Sequence, residues 1–306
     1  MGHPLRTLLL FLSRSRRLRR WIETSPLARR LASRFVAGST LEEALEVARR
    51  LNQAGIRVTL DYLGENVTSL DEAARSRDMA LRALAEMAGR AIDGNVSIKL
   101  TQFGLDLSED ACLANAGQLA GEAARLGNFI RVDMESSEYT ERTLRLVEQL
   151  HSRSGAVGTV IQAYLYRSRK DVERLSERRI RTRLCKGAYL EPSSVAFQRK
   201  PDVDRNYLEL ASLLLEQPAI PAFATHDEKI IGEIERMVRE RGVAPGNFEF
   251  QMLYGIRRDI QKRLVGEGYK LRLYVPFGEA WYPYFMRRLA ERPANLVFLL
   301  RHLLRH

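Results

Sequence analysis

Short apolar, β-branched runs recur along this chain, and each carries a polar or charged side chain at or near its C-terminal end. Asp61 closes the first, with Glu65 just beyond; Lys99 closes the second, Asp133 the third and Gln162 the fourth. The fifth continues Arg183-Leu184-Cys185-Lys186-Gly187-Ala188-Tyr189, and the sixth ends in Thr225-His226-Asp227. Gln251 lies in the seventh and Tyr274 in the eighth. A single Lys or Asp after a strand is ordinarily a solvated turn residue. Eight such ends are harder to dismiss, because a charge taken out of water must be paired or bound. If the strand ends converge, these groups have one another or a ligand.

A second concentration lies in Trp281–Asn295, where Tyr284, Arg288 and Glu291 share a helical face by spacings of three and four, with Arg287 adjacent. Two consecutive arginines behind an aromatic suit a carboxylate, each charge-assisted hydrogen bond being worth roughly 1.5–3 kcal/mol. An ordinary basic helix with i,i+3 salt bridges has the same spacing, and local spacing alone favours that plainer reading. Other chemistries find no support. No Gly-x-Gly-x-x-Gly follows a strand and no phosphate-binding loop occurs, so a dinucleotide has to bind in another way. The adjacency of His226 and Asp227 is not a nucleophile signature. The two cysteines, Cys112 and Cys185, form neither a disulfide scaffold nor a Cys-x-x-Cys pair. No metal-ligand spacing is present, and no metal is expected.

The elements that must position these residues follow from periodicity. Helical patterns cover 41–54, 71–91, 109–126, 139–153, 168–178, 203–216, 227–241, 255–265 and 279–290. Strand candidates between them are Ile56–Tyr62, Val96–Leu100, Phe129–Val132, Thr159–Gln162, Arg181–Cys185, Ala222–Thr225, Phe248–Leu253 and Leu271–Val275. Alternation of this kind predicts a parallel sheet with crossover helices. Eight units suggest closure into a (β/α)8 TIM-type barrel, with a doubly wound open sheet as the alternative. A chain of 306 residues, 45% hydrophobic, is long enough for one such core.

The formal charge of +11 is uneven, since residues 1–34 hold nine Arg against one acidic residue, Glu23. The expected organisation is an N-terminal basic helical arm, 1–40, and a catalytic barrel, 41–306. Within the arm, apolar Leu5–Leu12 precedes five arginines in Arg14–Arg20. An amphipathic arm on an anionic membrane surface and a solvated basic tail both fit it, and an organellar transit peptide fits less well. No apolar stretch approaches the roughly 20 residues of a membrane-spanning helix. With one aromatic, Trp21, near its arginines and no basic stripe in the body, nucleic acid is not an expected partner.

Several segments are similar to one family. Val96-Ser97-Ile98-Lys99-Leu100-Thr101, Arg131-Val132-Asp133-Met134-Glu135, Val160–Leu165, Arg183–Tyr189, Ala224-Thr225-His226-Asp227, Glu249–Gly255 and Tyr274–Asn295 resemble proline dehydrogenases, in the family's order. The shape is that of the single-function bacterial enzymes and of the matching domain of proline-utilisation A flavoenzymes. The resemblance implies a distorted barrel whose eighth helix covers the site. It implies FAD-dependent oxidation of L-proline to Δ1-pyrroline-5-carboxylate, with reoxidation by a membrane quinone. Lys99, Arg287 and Arg288 would bind the proline carboxylate, while Tyr274, Tyr284 and Leu253 pack on the ring. Glu65 would pair with Arg287 as a gate. Catalytic roles fall to Arg183, near flavin N5, and to Asp133 and Tyr274. FAD would be held by Asp133, Met134, Gln162, Arg183, Lys186, Gly187, Ala188, Tyr189, Thr225, His226, Gln251, Arg288 and Glu291. A cytoplasmic location follows, with peripheral association at the inner face of the plasma membrane through the arm. Cys185 stands where an aliphatic residue is expected. A flavoenzyme for another cyclic amino acid, such as hydroxyproline, is the competing reading, and Tyr284 should crowd a ring hydroxyl.

Overall fold

The computed structural model describes residues 32–64, 67–217 and 219–291, with side chains of the last helix through Met286. In chain order the elements are α1 Leu41–Gln53, β1 Arg57–Tyr62, α2 Leu70–Gly89, β2 Gly94–Ile98, α3 Glu109–Arg125, β3 Ile130–Val132, α4 Thr140–Ser154 and β4 Val157–Gln162. There follow α5 Ser168–Glu177, β5 Arg181–Cys185, α6 Lys200–Leu215, β6 Ala222–Ala224, α7 Glu228–Glu240, β7 Glu249–Leu253, α8 Arg258–Gly266, β8 Leu271–Phe277 and α9 Trp281–Glu291. Every strand pairs in parallel with its neighbour, and β8 returns to β1 with Thr59 opposite Tyr274. That last pairing closes the barrel and excludes the open sheet.

Strands in such a barrel are buried on both faces, and the inward positions are ordinarily bulky aliphatics. Here the outward positions are the apolar ones: Val58, Leu60, Val96, Ile98, Ile130, Val132, Phe250 and Leu273 enter the main core beneath the helices. The alternate positions carry Thr59, Asp61, Asn95, Ser97, Arg131, Asp133, Arg183, Glu249, Gln251 and Arg272, all buried. Register confirms that these share the bore, with Asp61 opposite Ser97, Ser97 opposite Arg131, and Gln251 opposite Arg272. The lower layer of the polar bore is largely paired internally, with Asn95 Nδ2 and Arg131 Nε left without a hydrogen-bond partner among the described residues. Arg272 donates to Glu249 from Nε at 2.9 Å and to the Val58 carbonyl at 2.8 Å. Arg131 donates to the carbonyls of Thr159 and Arg181 at 3.2 and 3.1 Å. It reaches them over Gly158, where an added Cβ would meet the Arg181 carbonyl at 2.7 Å. The guanidinium carbons of Arg181, Arg131 and Arg272 lie 4.9, 5.2 and 5.9 Å from the Phe129 ring centre, a cation–π arrangement.

One helix precedes the first strand, and the last helix packs outside the main core. Helix α1 starts with a capping box in which the Thr40 side chain and Glu43 satisfy each other's backbone groups. Its apolar face, including Leu41, Ala44, Leu45 and Ala48, joins the main core against β1 and β8. Helix α9 instead belongs to a separate cluster, in which Trp281, Tyr282, Phe285 and Met286 pack with Phe35, Val36, Leu63 and Ile256. Leu63 follows β1 and Ile256 follows β7, so the last helix is tied to the mouth of the barrel. Residues 32–40, part of the expected arm, also lie on the barrel. The Ala37 amide donates to the Pro276 carbonyl at 2.8 Å, and the Gly278 amide to the Gly38 carbonyl at 3.0 Å. The remainder of the arm, 1–31, lies outside the described residues.

Candidate active site

The site is built around the Asp133 carboxylate, one residue beyond the short strand β3. Its Oδ1 accepts from the Ser97 hydroxyl at 2.6 Å and from Arg183 Nη1 at 2.8 Å. Its Oδ2 accepts from the Tyr274 hydroxyl at 2.6 Å. Side chains from β2, β5 and β8 thus meet on one group. Arg183 is further fixed by donation from Nε to Gln251 Oε1 at 2.5 Å, and its guanidinium lies 5.3 Å from the Tyr274 ring centre. Its third nitrogen, Nη2, is buried and has no hydrogen-bond partner among the described residues. Burial first, then the nearby charges of Asp133 and Asp61, pushes the Tyr274 phenol well above its usual range. Tyr274 is therefore a protonated donor at ordinary pH.

Beside this cluster, Lys99 Nζ lies 3.3 Å from Asp61 Oδ1. Asp61 is 1% exposed, and its carboxyl is raised by burial and by Asp133, against the opposing pull of Lys99. Leu253 is half-buried at the end of β7. Tyr284 is buried on α9 within the apolar cluster. For Arg287, Arg288 and Glu291 the backbone lies in α9, but their side chains, like the whole of Glu65, lie outside the described residues.

A second group lines the rim above β4 to β7. Gln162 donates to the Glu135 carbonyl at 2.8 Å and accepts from the Ala188 amide at 3.3 Å, so it holds the turn after β5. Gly187 in that turn has φ +123°, and a Cβ there would lie 2.5 Å from the Tyr164 ring. Lys186 donates to Asp204 at 2.5 Å and Asp227 at 2.8 Å. Burial opposes ionisation of Asp227, but hydrogen bonds from Lys186 and Lys200 hold its carboxyl below the usual range. His226 Nε2 accepts from the Leu253 amide at 2.9 Å, so the neutral ring carries its proton on Nδ1. Thr225 Oγ1 accepts from the Asp227 amide at 3.1 Å. Met134 is buried behind Asp133, whereas Tyr189 is 40% exposed at the rim. Cys185 is held by burial as a thiol, with its pKa pushed up to about 12.

Sequence reasoning missed Ser97 and Tyr164. Ser97 was findable, since it lies two residues before Lys99 on a strand whose alternate positions face the bore. Nothing local marks Tyr164, whose ring underlies Gly187. Among the described residues, no three His, Cys, Asp or Glu are grouped to hold a metal, and no helix is long and apolar enough to cross a membrane.

A closed parallel barrel with hydrogen-bonded charges at the carboxyl ends of its strands defines the class: a (β/α)8-barrel enzyme. A family model described as proline dehydrogenase matches residues 44–301. The chain is 41% identical over 301 residues to proline dehydrogenase 1 of Bacillus subtilis subsp. natto, covering 98% of this chain and 99% of that one. It is 42% identical over 280 residues to proline dehydrogenase of Deinococcus radiodurans, covering 90% of each. Among solved structures, proline utilization A from Bdellovibrio bacteriovorus, inactivated by N-propargylglycine, superimposes with TM-score 0.80 at 27% identity. That match covers 86% of this chain and 32% of the other, so this chain spans about a third of that protein. The chain belongs to the proline dehydrogenase family.

Proposed function

We propose that this chain oxidises L-proline to Δ1-pyrroline-5-carboxylate with FAD as hydride acceptor and a membrane quinone as the final oxidant. The observation that carries the cofactor reading is Arg183. It is fixed through two nitrogens and keeps a third, buried donor for a ligand. A buried donor left without an acceptor is costly, so its expected occupant is an acceptor atom such as a flavin ring nitrogen. The glycine turn at Gly187-Ala188 also fits, because it lets backbone approach a flat ligand closely. FAD would contact Asp133, Met134, Gln162, Arg183, Lys186, Gly187, Ala188, Tyr189, Thr225, His226, Gln251, Arg288 and Glu291. When bound it supplies the redox chemistry by taking a hydride at N5.

The chain's own residues would bind and orient the substrate. Lys99, Arg287 and Arg288 grip its carboxylate, and three cations on one anion fix the direction of the ring. Tyr274, Tyr284 and Leu253 pack on that ring, and Glu65 pairs with Arg287 to retain it. With the amine neutral, the carbon–hydrogen bond beside the ring nitrogen would break with its electron pair leaving as hydride, the nitrogen lone pair would close the C=N bond, and the N–H proton would leave to solvent to give the imine. Asp133 already accepts three hydrogen bonds from the protein, which suits it to hold Tyr274 and Arg183 in place. Residues 1–31 would lay the enzyme on the inner face of the plasma membrane, near its quinone. Loss of liposome co-sedimentation on deleting them is the expected result, and unchanged sedimentation removes that part.

Purified protein should be yellow and should bleach anaerobically on addition of L-proline. A colourless protein that takes up no FAD overturns the proposal. Trans-4-hydroxyproline should turn over poorly beside proline, since Tyr284 crowds its hydroxyl; equal turnover moves the assignment to a broader cyclic amino acid class.

A further inference from the structure

Glu249 opens β7 and is 5% exposed, inside the bore one layer below Gln251. Arg272 of β8 grips both its oxygens, Nε at 2.9 Å and Nη2 at 3.2 Å. The same carboxylate accepts from Gln251 Nε2 at 2.5 Å. An ionised carboxylate only accepts hydrogen bonds. It therefore forces one sense on the Gln251 amide: the NH2 group faces Glu249, and the carbonyl oxygen faces up the bore. That oxygen is what receives Arg183 Nε. With Nε held by Gln251 and Nη1 by Asp133, the plane of the guanidinium is set, and Nη2 is the nitrogen left over. Burial pushes the Glu249 carboxyl up, but the Arg272 charge and hydrogen bonds, with Arg131 beyond, hold it down at about 2. It stays an acceptor throughout the neutral range.

We propose that Glu249 is a positioning residue for the oxidation, acting through the orientation of the Gln251 amide to aim Arg183 at the hydride acceptor. Glu249 touches neither ligand in this scheme. The proposal rests on the reading of Arg183 given under the proposed function. A buried ion pair that only stabilised the fold would not depend on which end of Gln251 faces up. The relay does depend on it. A neutral amide at 249 donates as well as accepts, so the sense of the Gln251 amide is then held from the Arg183 side alone, and the guanidinium loses a fixed anchor.

The test uses the FAD-loaded enzyme with Glu249→Gln and with the double variant Glu249→Gln/Arg272→Gln. The double variant leaves no unpaired partner of the pair buried and so keeps the test open where the single variant fails to fold. Flavin content, kcat and KM for proline, and the flavin midpoint potential are measured. The expected result is full flavin content, unchanged KM, kcat lower by on the order of 10- to 100-fold, and a lower potential, as mispositioning of a catalytic group predicts. A field effect alone gives the opposite sign, because removing one negative charge raises the potential in the single variant. Wild-type kcat and potential in the double variant, or a raised potential with full kcat in the single one, overturn the proposal. Arg183→Met separates the two failures. If it moves kcat and potential while the double variant moves neither, only the relay is wrong; if it moves neither, the reading of Arg183 falls as well.

Discussion

At the scale of single residues, the site turns on acceptor-only chemistry. Asp133 receives Ser97, Arg183 and Tyr274 on two oxygens, and no neutral side chain offers the same capacity. In Asp133→Asn the new amide faces at least one donor with a donor. We expect flavin to remain bound and kcat to fall by about 100-fold, the scale set by losing near-attack geometry. Stopped-flow reduction by proline measures it, and a wild-type rate shows that Tyr274 and Arg183 need no such anchor. Arg288→Met tests the other half of the site. Losing a charge-assisted pair worth about 3 kcal/mol should raise KM for proline on the order of 100-fold while FAD stays bound. Steady-state kinetics settle this, and an unchanged KM means the clamp is misassigned.

At the scale of elements, the alternation of helix and strand was legible because the outward faces are apolar and the turns carry their own signals. The differences from expectation have local causes. Helix α8 begins at Arg258 and not at 255, because Gly255 and Arg257 take φ of +78° and +53°, outside helical backbone. Gly255 has to, since a Cβ there would fall 1.7 Å from the Arg34 carbonyl. Helix α6 begins three residues early, at Lys200, because Pro201 suits the first turn of a helix. In the site, Asp133, Lys99, Gln162, Arg183, Gln251 and Tyr274 were legible as strand ends. The partnership of Asp133 with Ser97, and of Gly187 with Tyr164, was not, because each joins residues that periodicity does not relate. The Gly187 turn is also a testable element. Gly187→Ala combines a left-handed φ with a Cβ 2.5 Å from the Tyr164 ring, so the turn must shift. Reduced FAD content per protein, read from the absorption ratio, is the expected outcome. Gly121→Ala is the control: it sits exposed in α3 with nothing within 4 Å of an added Cβ. That change should stabilise the protein by about 0.5–1 kcal/mol in thermal melts and leave flavin content unchanged.

At the scale of the whole molecule, the barrel encloses charge where such barrels ordinarily enclose aliphatics, and its acid stability should show it. Two buried carboxyls act with opposite sign. Asp61 is raised in the folded state, so its contribution is present below the unfolded pKa and is lost as pH rises through the folded value. Glu249 is depressed to about 2 from 4.5, so its contribution is present above pH 4.5 and is lost as pH falls toward 2. The second is on the order of 3 kcal/mol, since a tenfold change in proton affinity between the folded and unfolded chains corresponds to about 1.4 kcal/mol. Surface carboxylates that are also depressed, such as Glu43 and Glu72, add to the same acid limb. The comparison that isolates the bore is therefore wild type against Glu249→Gln/Arg272→Gln, with urea midpoints taken from pH 6 to pH 2. Wild-type stability should fall more steeply between pH 4.5 and pH 2 than that of the double variant. The two curves should approach each other in acid, where Glu249 is protonated and its advantage over a neutral pair is gone. Parallel curves across that window would show that the Glu249 carboxyl titrates alike in the folded and unfolded chains, and that the bore does not hold it as an anion.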